Sequence, residues 1–190
     1  MTSALLVIDM VNDLIHPDGK LPGCSKYVQE HHLIEKTNAA IASARQNNQL
    51  VVFVKVGYDK SYISNPSHSP FFIANEKFAA LQLGTWGNEF HQDINRTDDD
   101  IEVIKPRINA FYSSRLEAVL RANHVDEVVL SGVSSSWAIE ATARDAHDRD
   151  YNVTILDDAC GAMNSEEHTS VMERMKTIAK ITTVDAFAAA

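Results

Sequence analysis

Four runs of aliphatic residues govern what this chain can fold into: Ala4-Leu5-Leu6-Val7-Ile8, Leu50-Val51-Val52-Phe53-Val54-Lys55-Val56, Val128-Val129-Leu130 and Tyr151-Asn152-Val153-Thr154-Ile155-Leu156. Each has the length of a strand. Their apolar character barely alternates, which marks strands covered on both faces, the environment of a parallel sheet. Two shorter candidates lie at 101–104, where Pro106 blocks further pairing, and at 181–184. Between the strands the period changes to that of a helix. Leu33, Ile34, Ala40, Ile41 and Ala44 recur within 30–47, and Leu116, Val119 and Leu120 follow a Ser113 or Ser114 cap. Residues 136–148 and 165–179 complete the set, the latter opening on the acidic turn Glu166-Glu167. This alternation predicts an α/β fold: a doubly wound, mostly parallel sheet with helices on both faces and right-handed crossovers.

No repeat, linker or low-complexity tract divides the chain, so residues 1–190 are expected to form one domain. Residues 57–100 are the least regular part, with Pro66, Pro70, Phe71-Phe72, a short helical piece near 76–81 and the stretch 84–90. A loop region of that length points to substrate choice or subunit contact. Ala188-Ala189-Ala190 reads as a frayed tail.

The formal charge of −9, with Lys and Arg scattered, argues against nucleic-acid or anionic-membrane partners. Cys24 and Cys160 form no CxxC or Cys/His pattern, which excludes a zinc ribbon and a disulfide framework and suggests a reducing, cytoplasmic setting. Met1-Thr2-Ser3 leads straight into the first strand, with a charge after five apolar residues, unlike a signal peptide or membrane span.

In a parallel sheet the carboxyl ends of the strands share one rim. Asp9 ends the first run there, Lys105 ends the strand at 101–104, and Ala138 opens the helix beyond residues 131–136. The small residues of that turn permit close backbone approach, and the unpaired N–H groups of a first helical turn suit an anion.

These residues also carry a resemblance. Leu6-Val7-Ile8-Asp9-Met10-Val11-Asn12-Asp13, Ile104-Lys105-Pro106-Arg107 with Ala110-Phe111, Ser131-Gly132-Val133-Ser134 leading to Glu140-Ala141-Thr142-Ala143, and Asp157-Asp158-Ala159-Cys160 resemble, in order, the motifs of the isochorismatase-like (cysteine) hydrolases. The resemblance implies a Rossmann-like three-layer sandwich, a homo-oligomer (dimer or tetramer), a small-molecule substrate and an Asp-Lys-Cys triad. By position these are Asp9, Lys105 and Ala138, the last standing where the family has Cys. It also implies a cis peptide between Val133 and Ser134 that aims the turn's N–H groups at the substrate.

An alanine methyl cannot attack a carbonyl, so the amide-hydrolysing chemistry of thiolate members is closed at this position. The alternative implied by the family is hydrolysis of a vinyl ether such as isochorismate, to pyruvate and a dihydrodiol, with Asp9 as general acid and Lys105 as its partner. Lys105 should lower the Asp9 pKa and burial should raise it; the acid role requires burial to win. Water is the only co-reactant expected, and no cofactor. Two other readings stand beside this one: a cysteine-type amidohydrolase whose nucleophile is absent, and a silent ligand-binding oligomer. Cys24 could bring a thiol from another direction. Val133, Ser134, Trp137, Trp86 and Arg107 are the candidate substrate contacts, while Phe71, Phe72, Phe111 and Tyr112 read as packing. No metal site is expected, since Asp59 is followed by Lys60 and Ser61 where a zinc-binding Asp-x-His would stand. His68, His91 and His31-His32 are isolated, and Asp98-Asp99-Asp100 reads as a solvated turn.

Overall fold

In the computed structural model, which describes residues 2–189, the apolar runs become one six-stranded sheet in the order β3-β2-β1-β4-β5-β6. The strands are β1 (Ser3–Ile8), β2 (Leu50–Val56), β3 (Ile101–Lys105), β4 (Glu127–Val133), β5 (Asn152–Gly161) and β6 (Lys180–Thr182), and every neighbouring pair is parallel. The helices are α1 (Asn12–Ile15), α2 (Ser25–Glu30), α3 (Leu33–Gln46), α4 (Ile73–Lys77), α5 (Leu116–Ala122), α6 (Glu140–Asp148), α7 (Ser165–Met175) and α8 (Val184–Ala188).

Period-two burial explains why the central runs are apolar throughout. Leu6, Ile8, Val54 and Leu130 pack with Leu116 and Leu120 of α5, Ala143 of α6 and Val171 of α7. Leu5, Val7, Phe53 and Val129 face the other way, onto Leu33, Ala40 and Ile41 of α3. At ~1.5–3 kcal/mol for each fully buried aliphatic side chain, both faces of β1 hold the sheet together. No helix among the described residues is long and apolar enough to cross a membrane.

The chain departs from the sequence reading where local chemistry overrides periodicity. The segment at 30–47 is divided by His32, whose φ of 54° ends one helix before α3 begins. The short helix falls at Ile73–Lys77 rather than near 76–81, because Ala79 turns left-handed at φ 48°. β5 continues through Asp157–Asp158, past the point where the apolar run stops: a register shift opposite Leu130 and Gly132 lets Cys160 and Gly161 pair with Gly132 and Val133. Ala188 closes α8 instead of fraying, since the Thr183 side chain accepts from the Ala186 N–H and starts a helical turn there. Met1 and the final Ala190 of the presumed tail lie outside the described residues.

The strand order reverses between β1 and β4: the chain leaves β1 for β2 on one side and returns through β4 on the other. Such a switch point opens a crevice at the carboxyl ends of the two strands. Gly132 keeps it narrow. Its φ is 115°, and a Cβ there would sit 2.0 Å from the Ile8 carbonyl oxygen. Gly132→Ala is therefore expected to cost at least ~2 kcal/mol in urea unfolding, from strain and backbone overlap together; an unchanged midpoint would refute this packing.

Candidate active site

Asp9 leaves β1 with φ 56°, a left-handed turn that swings its carboxyl beneath the rim. Its N–H donates to the Val54 carbonyl at 2.8 Å, its Oδ1 accepts from the Val56 N–H at 2.7 Å, and its Oδ2 accepts from Lys105 Nζ at 2.7 Å. Lys105, at the end of β3, is 1% exposed, and its other two N–H bonds go to the carbonyls of Arg107 at 3.1 Å and Ile108 at 2.8 Å. The ammonium is thus fully satisfied by the protein. Burial pushes the Asp9 carboxyl above its usual range, and the Lys105 charge and hydrogen bond and the Val56 N–H pull it back without cancelling the rise.

Beyond β4 the Val133–Ser134 peptide is cis, as the resemblance implied. A π-helical turn over Ser135–Ile139 then precedes α6, with the N–H groups of Trp137 and Ile139 both donating to the Ser134 carbonyl at 3.1 Å. A wider turn is what residues 136–148 contain at their start, where periodicity alone predicts plain α-helix. Ser135 fastens it from behind: its hydroxyl meets His168 Nδ1 at 2.8 Å, and His168 Nε2 meets Asp157 Oδ1 at 3.0 Å. The hydrogen bond from His168 holds the Asp157 carboxyl below its usual range. This Ser-His-Asp chain escaped sequence reasoning because its members come from three separate segments. Ser135 is fully buried and does not line the cavity, so the chain braces the turn and offers no nucleophile.

A cavity of about 250 Å³ lies over the crevice. Asp9, Lys105, Val133, Ser134, Trp137, Ala138 and Arg107 all line it, which brings together every candidate residue except one. Trp86 is the exception. Its ring stands edge-on to His16 at 5.0 Å, is 53% exposed and lies outside the cavity. The cause lies in its neighbours: Gly87 presses on the buried Asp13 carboxylate, where a Cβ would come within 2.3 Å, and the Asn88 side chain donates to the Val56 carbonyl at 2.8 Å, which turns residue 86 outward. Asp13 also accepts from the Leu81 N–H at 2.6 Å and so ties the irregular segment over the rim.

That segment supplies walls the sequence reading assigned to packing. Phe71 and Phe72 both line the cavity, and Phe71 meets Trp137 with ring centroids 4.5 Å apart. The signal was present as an aromatic pair beside Pro70 in an otherwise polar loop. Cys24 lines the cavity as well, but burial and the carboxylates of Glu167 and Asp9 push its thiol up to about 12, so it holds its proton at neutral pH. Cys160 is buried against the Leu130 carbonyl, away from the cavity. Among the described residues no group of three or more His, Cys, Asp or Glu side chains is placed to hold a metal ion. Asp100 binds Arg45 and the Thr97 N–H, closing the acidic run as a turn.

A buried acid, a satisfied cation and a helix-opening turn are thus gathered around a small cavity at the switch point of a parallel α/β sheet. The isochorismatase domain matches residues 3–186, and the chain belongs to the isochorismatase family of hydrolases. An uncharacterized isochorismatase family protein of Escherichia coli O157:H7, YecD, is 30% identical over 97% of this chain and 93% of its own length. A protein of Arabidopsis thaliana named "probable inactive nicotinamidase" is 31% identical over 93% of this chain and 89% of its own. The crystal structure of an N-carbamoylsarcosine amidase from Thermoplasma acidophilum superposes with a TM-score of 0.77, at 27% identity over 97% of this chain and 98% of that one.

Proposed function

We propose that this protein hydrolyses a vinyl ether by acid catalysis from Asp9, with Lys105 as its electrostatic and hydrogen-bonding partner. The observation that carries the reading is a buried carboxyl, shifted toward its protonated form, on the wall of a cavity whose family nucleophile position is an alanine. Asp9 gives its proton to the terminal vinyl carbon, water adds to the carbon bearing the ether oxygen, and the C–O bond of the resulting hemiketal breaks to release an alcohol and a ketone. For a carboxyvinyl ether the ketone is pyruvate, and Asp9 recovers a proton from the added water.

Amide hydrolysis, the activity in the name of the Thermoplasma relative, would by the family's cysteine route need a thiolate at position 138. Ala138 offers none, and the raised Cys24 thiol does not replace it. A panel of vinyl ethers and amides, run on this chain and on Ala138→Cys, separates the readings. The expected result is vinyl-ether turnover by the unmodified chain, changed by less than about tenfold, or ~1.4 kcal/mol, in Ala138→Cys. Amidase activity appearing only with the cysteine would favour an amidohydrolase that has lost its nucleophile, and turnover by neither would leave a catalytically silent ligand-binding oligomer; the name "probable inactive nicotinamidase" of the Arabidopsis relative is in keeping with silence.

A further inference from the structure

Resting on the vinyl-ether reading, we infer that the substrate is a single-ring compound with at most one negative charge, so that an ether with a second carboxylate on the ring, as in isochorismate, is excluded. The cavity offers few cations. Two line it, Lys105 and Arg107. Each N–H of Lys105 already has a protein acceptor, so binding a carboxylate there would break a hydrogen bond to Asp9 or to a buried carbonyl. Arg107 is different. Its Nη1 donates to the carbonyls of Ser64 and Pro106, both at 2.7 Å, while Nε and Nη2 have no protein partner among the described residues. The guanidinium carbon also lies 5.8 Å from the Phe72 ring centroid and 5.7 Å from that of Tyr112, within cation–π range of both. With Nη1 tied to two carbonyls, Nε and Nη2 remain as an adjacent pair of donors for one carboxylate.

Apart from Asp9 the remaining wall is apolar or neutral and includes Leu14, Leu21, Leu81 and Met163 together with the Phe71–Trp137 pair. A second carboxylate would be buried against these groups and near Asp9 with no cation to meet it, which is costly. At about 250 Å³ the space falls below the ~300–1,000 Å³ typical of pockets for drug-sized ligands and suits one ring with a short arm. In this arrangement the carboxylate of the vinyl arm meets Arg107, and the neutral ring lies against Trp137.

The test is binding, read by calorimetry and from tryptophan fluorescence in a Trp86→Phe background that leaves Trp137 as the reporter, with benzyl alcohol, benzoate and isophthalate as neutral, singly and doubly charged ring probes. The expected order is benzoate tightest, with isophthalate at least tenfold weaker than benzoate. Arg107→Gln should weaken benzoate at least tenfold and leave benzyl alcohol within twofold, which also shows that the variant's cavity is intact. Isophthalate binding as tightly as benzoate, benzoate binding unaffected by Arg107→Gln, or no binding of any probe would each overturn the inference. Because no turnover is measured, failure of the vinyl-ether assay with these binding results intact would count against the reaction alone.

Discussion

Lys105→Met is expected to lower the stability of the protein by about 3 kcal/mol, the lower end of the ~3–5 kcal/mol seen when one partner of a buried ion pair is removed. The lower end applies because Asp9 can take up a proton and shed its charge once the ammonium is gone. What remains uncompensated are the carbonyls of Arg107 and Ile108, which lose their Nζ donor inside a site that is almost sealed from water. Urea unfolding of the variant, with Asp9→Asn and the double variant completing a thermodynamic cycle, measures the coupling directly. A double variant as unstable as the sum of the two singles would show that the pair contributes nothing.

Asp9→Asn is expected to reduce hydrolysis by about 10²–10⁴-fold, the range for loss of a positioned general acid. The amide keeps the shape of the carboxyl and an oxygen for the Val56 N–H, while its NH2 cannot accept from Lys105 as Oδ2 does; the cavity keeps its shape at some cost in stability, and the loss should fall on turnover rather than on binding. Stability should respond in the opposite sense to a surface carboxylate. Since the folded-state pKa of Asp9 is raised, the protonated form favours folding. The advantage over Asp9→Asn is fully present below the unfolded carboxylate value and is lost as pH rises through the folded one. Paired unfolding curves at acidic and neutral pH check this; a wild-type advantage that grows with pH would mean the ion pair outweighs burial.

Much of this was legible in the chain because the informative residues are bound by simple rules. Strands buried on both faces read as continuous apolar runs, and parallel order then places Asp9, Lys105 and the 131–138 turn on one rim whatever the loops do. The resemblance added the cis peptide and the meaning of Ala138. Less was legible where contacts join distant segments. Nothing local to Trp86 says that Gly87 must fold onto Asp13, so the ring's outward position could not be read. Nothing local to Phe71 or Phe72 says that this loop closes over the crevice. The Ser135–His168–Asp157 brace and the extension of β5 past Asp157 depend on a register shift that no periodicity encodes. The direction of the Asp9 pKa required the burial itself, since the two opposing effects have the same sequence origin.

The most direct test is the pH dependence of pyruvate release from a carboxyvinyl ether of a neutral ring alcohol, catalysed by the unmodified chain. The expected result is turnover without added metal or thiol, with a rate that is high at acidic pH and falls in a single step through a value above the usual carboxylate range, as the Asp9 proton is lost. A rate that instead rises with pH, or that is abolished by a thiol-alkylating reagent, would contradict it.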